Sequence, residues 1–194
     1  SIGNTLMGAY AGDGAMTGNC NTVFGYYAMS ANQAGHNNTA IGCSALSNQT
    51  SGNNNVAIGY DAGIAVTSGH SNVIIGGYAM DANQTGSESI AIGTYALTTT
   101  TGSSNVALGY KAGENVSSGT NNILLGKETG RNSGTPGGNI TTGDNYAVIG
   151  NGNITALYCA VSSISTSDAR DKADVTTFTG GLDWVNAMRP VTYK

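Results

Sequence analysis

The sequence predicts an all-β chain: a parallel β-solenoid of about nine short coils, then a β stalk, then the start of a small α+β domain. Three observations carry this. A glycine-centred unit recurs at one short, fixed period, at Gly8, Gly25, Gly42, Gly59 and onward over most of the chain. Each unit holds one short apolar run and no helical apolar stripe. The composition is turn-rich, with 30 Gly, abundant Asn, Ser and Thr, and only two Pro among 194 residues.

Composition also narrows the classes. Hydrophobic residues make up 39% of the chain and the net charge is only −4, which is not the signature of a disordered chain. The mildly acidic balance argues against nucleic acid or an anionic membrane surface as partner. No apolar run approaches the roughly 20 residues of a membrane-spanning helix. The opening at Ser1 carries no signal-peptide pattern, and the chain reads as an excerpt of a longer protein. Cys20, Cys43 and Cys159 are odd in number and lack metal-ligand or CxxC spacing, so they read as three buried free thiols.

The repeat runs as NTLMGAYAG, NTVFGYYAM, NTAIGCSAL, NVAIGYDAG, NVIIGGYAM, SIAIGTYAL, NVALGYKAG and NILLGKETG. Its central glycines are Gly8, Gly25, Gly42, Gly59, Gly76, Gly93, Gly109 and Gly126, evenly spaced except that the step from Gly93 to Gly109 is one residue shorter. A second glycine recurs at a constant distance before the next central one, from Gly18 to Gly119. After an insertion, TGDNYAVIG restores that interval at Gly143 and Gly150. Such a period is too short for paired helices and fits a short strand, a turn, a second extended piece and another turn. At about 4.8 Å per rung, nine coils make a rod about 43 Å long.

Within each strand, the residue before the central glycine (Met7, Phe24, Ile41 and onward) shares a face with the residue three before it (Thr5, Thr22, Thr39, Val56 and onward). The residue between them (Leu6, Val23, Ala40, Ala57, Ile74 and onward) points to the opposite face and is apolar too. A strand apolar on both faces is covered on both. One face fills the coil interior. The other needs a partner, and the economical one is a second copy of the chain, giving a homo-oligomer packed around a common axis. Alanine three residues after each glycine, from Ala11 to Ala112, suits a tight turn or a close chain approach.

The N-[VT]-A-[IL]-G-x-x-A unit across residues 1–150 resembles the YadA-like head of trimeric autotransporter adhesins, and similar repeats occur in phage tail fibres. That resemblance implies a homotrimer of left-handed parallel β-rolls. Coils of that family are a few residues shorter, so longer turns are expected here.

Sites in the rod read as structural. His36 and His70 are two coils apart, roughly 10 Å, too far to share a metal within one chain, and they read as turn residues. The Asn column (Asn4, Asn21, Asn38, Asn55, Asn72, Asn105, Asn122) reads as a stacked turn-capping ladder. GTNNILLGK has the wrong spacing for a phosphate-binding loop. Glycosylation sequons at Asn37, Asn48, Asn83 and Asn115 are expected by chance in so Asn- and Thr-rich a chain. Threonines 98–101 raise an ice-binding surface, but threonine does not recur at equivalent positions in neighbouring coils, so no flat array is expected. No metal, no cofactor and no substrate-directed activity are expected.

Past residue 150 the pattern changes. Residues 151–166 read as a β stalk, with ITALYCAVSSIS extended along the oligomer axis. In 167–194, Leu182, Val185 and Met188 share a helical face that Pro190 would end. At the junction, Asp168, Arg170, Asp171, Lys172 and Asp174 crowd charges into a chain that holds no Lys or Arg ahead of Lys111. SDARDKADV followed by GGLDWVNAMRPVTYK resembles the start of the intramolecular chaperone domain of phage tailspikes and fibres, the endosialidase type. That family assists trimerisation and then cuts itself between the Ser and the Asp. Carried over, the scissile bond is Ser167–Asp168, with Ser167 as nucleophile, Lys172 as its base and Arg170 in support. A serine hydroxyl needs such a base, and a lysine serves only when burial or nearby cations lower its pKa.

The expected function is therefore a trimeric tail-fibre segment in the virion tail. Its partners are its own copies, other tail proteins and a host-surface receptor, with no nucleic acid and no membrane insertion. The alternative is the head of a bacterial trimeric autotransporter adhesin on the bacterial outer surface. A fibre-borne depolymerase would instead need carboxylates clustered between chains.

Overall fold

A computed structural model of the chain describes residues 2–131 and 140–155. Ser167, Asp168, Arg170 and Lys172, the candidate helix near Trp184 and most of the stalk lie outside the described residues.

Nine three-residue strands form one parallel sheet in strict chain order: β1 (Thr5–Met7), β2 (Thr22–Phe24), β3 (Thr39–Ile41), β4 (Val56–Ile58), β5 (Val73–Ile75), β6 (Ile90–Ile92), β7 (Val106–Leu108), β8 (Ile123–Leu125) and β9 (Ala147–Ile149). Each strand pairs only with its sequence neighbours, and equivalent repeat positions face each other: Val56 against Val73, Ala57 against Ile74, Ile58 against Ile75. No helix occurs among the described residues. The expected nine or so coils resolve into seven near-equal ones between β1 and β8, and a last, longer one between β8 and β9. The insertion that lengthens it is the break in the repeat seen after Gly126.

The two apolar faces of the sheet now separate. The middle residue of each strand from β2 onward points inward: Val23, Ala40, Ala57, Ile74, Ala91, Ala107, Leu124 and Val148 are all buried. The alanine after each central glycine, from Ala28 to Ala112, joins them, and so does the next residue wherever it is Met29, Leu46, Met80 or Leu97. Where that next position is glycine, neighbouring coils fill the space. A Cβ on Gly63 would meet Ile74 Cδ1 at 2.8 Å and Leu46 Cδ2 at 3.0 Å, and one on Gly113 would meet Leu124 and Leu97 in the same way. The same coils bury Val66 and Val116, whereas coils with Met or Leu bury Asn32, Gln49, Asn83 or Thr100 at the equivalent place. Bulk thus alternates across the interior with a three-coil super-period, so that the close packing expected of an interior is kept in a very thin core.

Backbone polar groups are held by two side-chain ladders that run in opposite directions. In the first, each column Asn accepts the backbone N–H of its successor. Asn38 N–H donates to Asn21 Oδ1 at 2.9 Å, Asn55 N–H to Asn38 Oδ1 at 2.9 Å, and Asn72 N–H to Asn55 Oδ1 at 3.0 Å. The amide nitrogen of the same side chain donates to the carbonyl of the next coil's second glycine, the one ahead of its strand, as Asn55 does to Gly69 O at 2.8 Å. Ser89 stands in for one Asn, giving its N–H to Asn72 Oδ1 and accepting that of Asn105 on its hydroxyl. The ladder ends at Tyr146, whose N–H donates to Asn122 Oδ1. In the second ladder the acceptor sits one coil ahead. Ile2 N–H donates to Asn19 Oδ1, Asn19 N–H to His36 Nδ1 at 3.0 Å, and His36 N–H to Asn53 Oδ1 at 2.7 Å.

The positive φ values do not fall only where glycine invites them. Each coil places a residue with a side chain in the left-handed region two positions after the central glycine, among them Tyr27 (φ 57°), Tyr78 (58°) and Tyr95 (60°). Bulky residues normally avoid this region. From Tyr27 onward each is tied to the coil before it, as when Tyr78 N–H donates to Tyr60 O at 3.0 Å. The upstream glycines serve a different need. Gly35, Gly52 and Gly69 lack a positive φ, but a Cβ on any of them would come within 3.0 Å of the next coil's backbone.

Asn55 is wholly buried, and both bonds of its side chain reach the next coil. Asn55→Ala orphans a buried N–H and a buried carbonyl, at about 1–3 kcal/mol each. The expected loss in chemical denaturation is about 2–4 kcal/mol, while Asn72→Ser, which copies the native Ser89, loses less than half of that.

Candidate interaction surface

The turn after each strand builds one edge of the roll. The two residues after the central glycine leave the sheet toward solvent, before the buried alanine returns the chain to the core. Six of the eight repeats carry tyrosine there: Tyr10, Tyr26 with Tyr27, Tyr60, Tyr78, Tyr95 and Tyr110. Stacking of coils puts these rings in one row. Tyr10 and Tyr27 are stacked with centroids 4.7 Å apart and planes at 14°, and Tyr78 and Tyr95 are stacked at 5.1 Å and 2°. Tyr26 lies edge-on to both Tyr10 and Tyr27, and Tyr60 is edge-on to Tyr78. The third repeat, with Cys43 and Ser44, interrupts the row.

Charge is distributed unevenly along this edge. Asp61 lies beside Tyr60 and raises the pKa of its hydroxyl, with Tyr78 adding to the effect. The hydroxyl of Tyr26 is raised by loss of solvent and by its hydrogen bond to Tyr27. Burial raises the carboxyl of Asp81, and the charge of Asp61 raises it further. The first Lys or Arg of the chain is Lys111, whose ammonium sits 5.3 Å from the centroid of Tyr95 and 5.6 Å from that of Tyr110. It pairs with Glu114 at 3.1 Å. Arg131 pairs with the same Glu114 and, at 3.1 Å, with Glu128.

The second surface is the outer face of the sheet. Met7, Phe24, Ile41, Ile58, Leu108 and Ile149 form an uninterrupted apolar column with Ile75, Ile92 and Leu125, and Met7 is 62% exposed and Phe24 50%. The residues three before each glycine form a parallel column, threonine in β1 to β3 and aliphatic in β4 to β9.

Other residues singled out in the sequence fall as follows. Cys20 is exposed and Cys43 half-buried, so the expectation of buried thiols is wrong for these two, and Cys159 lies outside the described residues. Cys20 occupies the left-handed turn position before Asn21, where a side chain points outward. The histidines do sit in turns, but His36 is also a rung of the second ladder. Asn83, in one of the sequons, is buried. At the Thr101 position the adjacent coils carry Gln84 and Ser117, so threonine does not recur beside it; along the rod the position holds hydroxyls at Thr17, Thr50, Thr67, Thr101 and Ser117. Each of these hydroxyls donates to a carbonyl of the next coil. No group of three or more His, Cys, Asp or Glu side chains able to hold a metal occurs among the described residues.

Sequence reasoning misses the tyrosine row because the aligned unit treats the two positions after the glycine as variable. The signal that exposes it is their residue type, summed over repeats. No protein-family model matches the chain, and no curated protein or solved structure matches it either.

The raised carboxyl of Asp81 gives a signed pH dependence. The folded state holds its proton to higher pH than the unfolded chain, so stability is greatest below the ordinary value of 3.8 and falls as pH rises through the raised one. Asp81→Asn should therefore raise the melting temperature at neutral pH, and the difference should vanish in strong acid.

Proposed function

We propose that the chain is a segment of a homotrimeric phage tail fibre, three left-handed β-rolls packed about one axis, which carries turn residues outward to a host-surface receptor. The observation that carries the reading is the apolar column on the outer sheet face. Its side chains are larger than the alanines that dominate the interior side of the same strands, and a face of this kind is buried by a partner in soluble proteins. A second copy is the partner whose repeat matches rung for rung. The SDARDKADV pattern supports the fibre reading over an autotransporter adhesin, since it begins an assembly chaperone that follows the roll. In this reading Lys172 takes the proton of the Ser167 hydroxyl, whose oxygen attacks the Ser167 carbonyl carbon. The C–N bond to Asp168 breaks as Lys172 returns the proton to the leaving amine, and water opens the four-membered lactone so formed, leaving a carboxylate on Ser167 while the assembled roll stays behind.

Sedimentation equilibrium should give three times the 19.5 kDa chain mass. Ile58→Glu with Ile75→Glu places charges on the face and should yield a lighter species that is still coiled by circular dichroism. A folded wild-type monomer at micromolar concentration overturns the trimer.

Intact-mass spectrometry of the full gene product tests the second half of the reading. Wild type should end at Ser167, and Ser167→Ala should keep its tail. A wild-type chain that stays whole removes the self-cleavage and leaves the assembly role in place.

A further inference from the structure

The geometry points to the tyrosine row between Tyr26 and Tyr60 as a binding surface for an extended neutral glycan. The inference deepens the fibre reading and rests on it, since it names the chemistry of the receptor.

Ring orientation is the first argument. The stacked pairs are separated by 4.7 and 5.1 Å, close to the ~4.8 Å rise between strands, so the stack runs along the rod and those faces are spent on each other. Tyr26 lies at 79° and 88° to Tyr10 and Tyr27, and Tyr60 at 74° to Tyr78. Their planes therefore contain the rod direction and their faces look sideways, where a ligand lying along the rod can stack. Both rings are about half exposed, at 51% and 52%.

Spacing is the second. Tyr26 and Tyr60 are two coils apart, or about 10 Å along the axis, which is about the length of a disaccharide. The coil between them carries Cys43 and Ser44, small side chains that leave a shallow gap between two platforms. A pyranose offers an apolar CH face to an aromatic ring and hydroxyls around its rim. The rim finds the Tyr26 and Tyr60 hydroxyls, the Asp61 carboxylate and the Ser44 hydroxyl, all able to exchange hydrogen bonds with it.

Charge decides the class of glycan. Ahead of Lys111 the chain has no Lys or Arg, while Asp61 and Asp81 flank the row. An anionic polysaccharide would be repelled and would find no cation to pair with. A neutral one meets no such penalty.

Saturation-transfer NMR on the full chain, with a panel of neutral hexose oligosaccharides as ligands and polysialic acid and poly-lysine as charged counterparts, tests this. Neutral oligosaccharides should receive saturation from tyrosine ring protons. Tyr26→Ala with Tyr60→Ala should weaken their affinity about tenfold, the scale of two lost stacking contacts, with the sedimenting mass unchanged. Tyr60→Phe should retain most of the affinity. Neither ring has a positive φ, so truncation leaves the turn backbone unstrained. Absence of binding by every neutral oligosaccharide overturns the proposal, as does binding of poly-lysine alone. A change in sedimenting mass in the double variant also overturns it, by placing the row in a contact between copies. A trimer that binds no sugar sinks this inference alone, whereas a monomer that binds sugar sinks the trimeric reading alone.

Discussion

The buried side-chain amide of the Asn column is the interaction on which the rest of the rod depends. Each strand is only three residues long and each coil touches only its neighbours, so nothing distant enforces register. A one-residue slip would exchange the two faces of every strand. An amide prevents this because it accepts the next coil's N–H and donates to that coil's glycine carbonyl at the same time, from two atoms set apart in one plane. Buried, those two bonds have no competition from water, and losing register would leave four polar groups unpaired in the interior. Ser89 shows the limit of the rule. Its hydroxyl keeps the acceptor that receives Asn105 N–H, and a single such rung is tolerated between intact ones. Tyr146 shows how the ladder stops, with a backbone donor and a side chain that cannot extend the amide column.

Much of this was legible as period. Glycines at a fixed spacing and an Asn before each strand define the coil, and the stacked ladder follows from their coincidence. What the pattern left open was which face of the strand is inside, since both are apolar. Residue size resolves it in hindsight. Ala40, Ala57, Ala91 and Ala107 make half of the column from β2 onward, whereas the other column has no residue smaller than isoleucine, so the column that is smaller on average is the inner one. The three-coil super-period was hidden for a related reason. It lies in the exchange of bulk among the middle strand residue, the residue after the alanine and the Val or Asn further on. A repeat aligned on its glycines does not show that exchange.

The left-handed residues and the surface were the least legible. Glycine and asparagine advertise positive φ, yet tyrosine, methionine and leucine hold many of these positions here. Local propensity loses because the backbone N–H at each such residue is fixed to the neighbouring coil, so adopting a better φ would break a bond in a ladder. The proposed cleavage site was legible only as a motif, in residues 167–174, and its geometry lies outside the described residues. Cys20 misled because thiols are so often buried, while a turn position in a thin rod turns almost everything outward.

That thinness has a consequence for how such a chain is stabilised. Each coil from β2 to β7 encloses three apolar side chains, at least one of them alanine, beside its polar rung, so the apolar area buried inside per residue ordered is small. The outer face of the same strands carries Met, Phe, Ile and Leu. Burying one such side chain fully contributes about 1.5–3 kcal/mol, and the column supplies one per rung. Association through that face would therefore add to the apolar burial that the interior supplies. Stability and assembly then become one equilibrium, dependent on chain concentration, as for obligate oligomers. The division of labour along the repeat follows from the same geometry. Alanines and amides recur inside with single larger apolar side chains among them, the continuous Met, Phe, Ile and Leu column faces outward, and the tyrosine row lies at the turn.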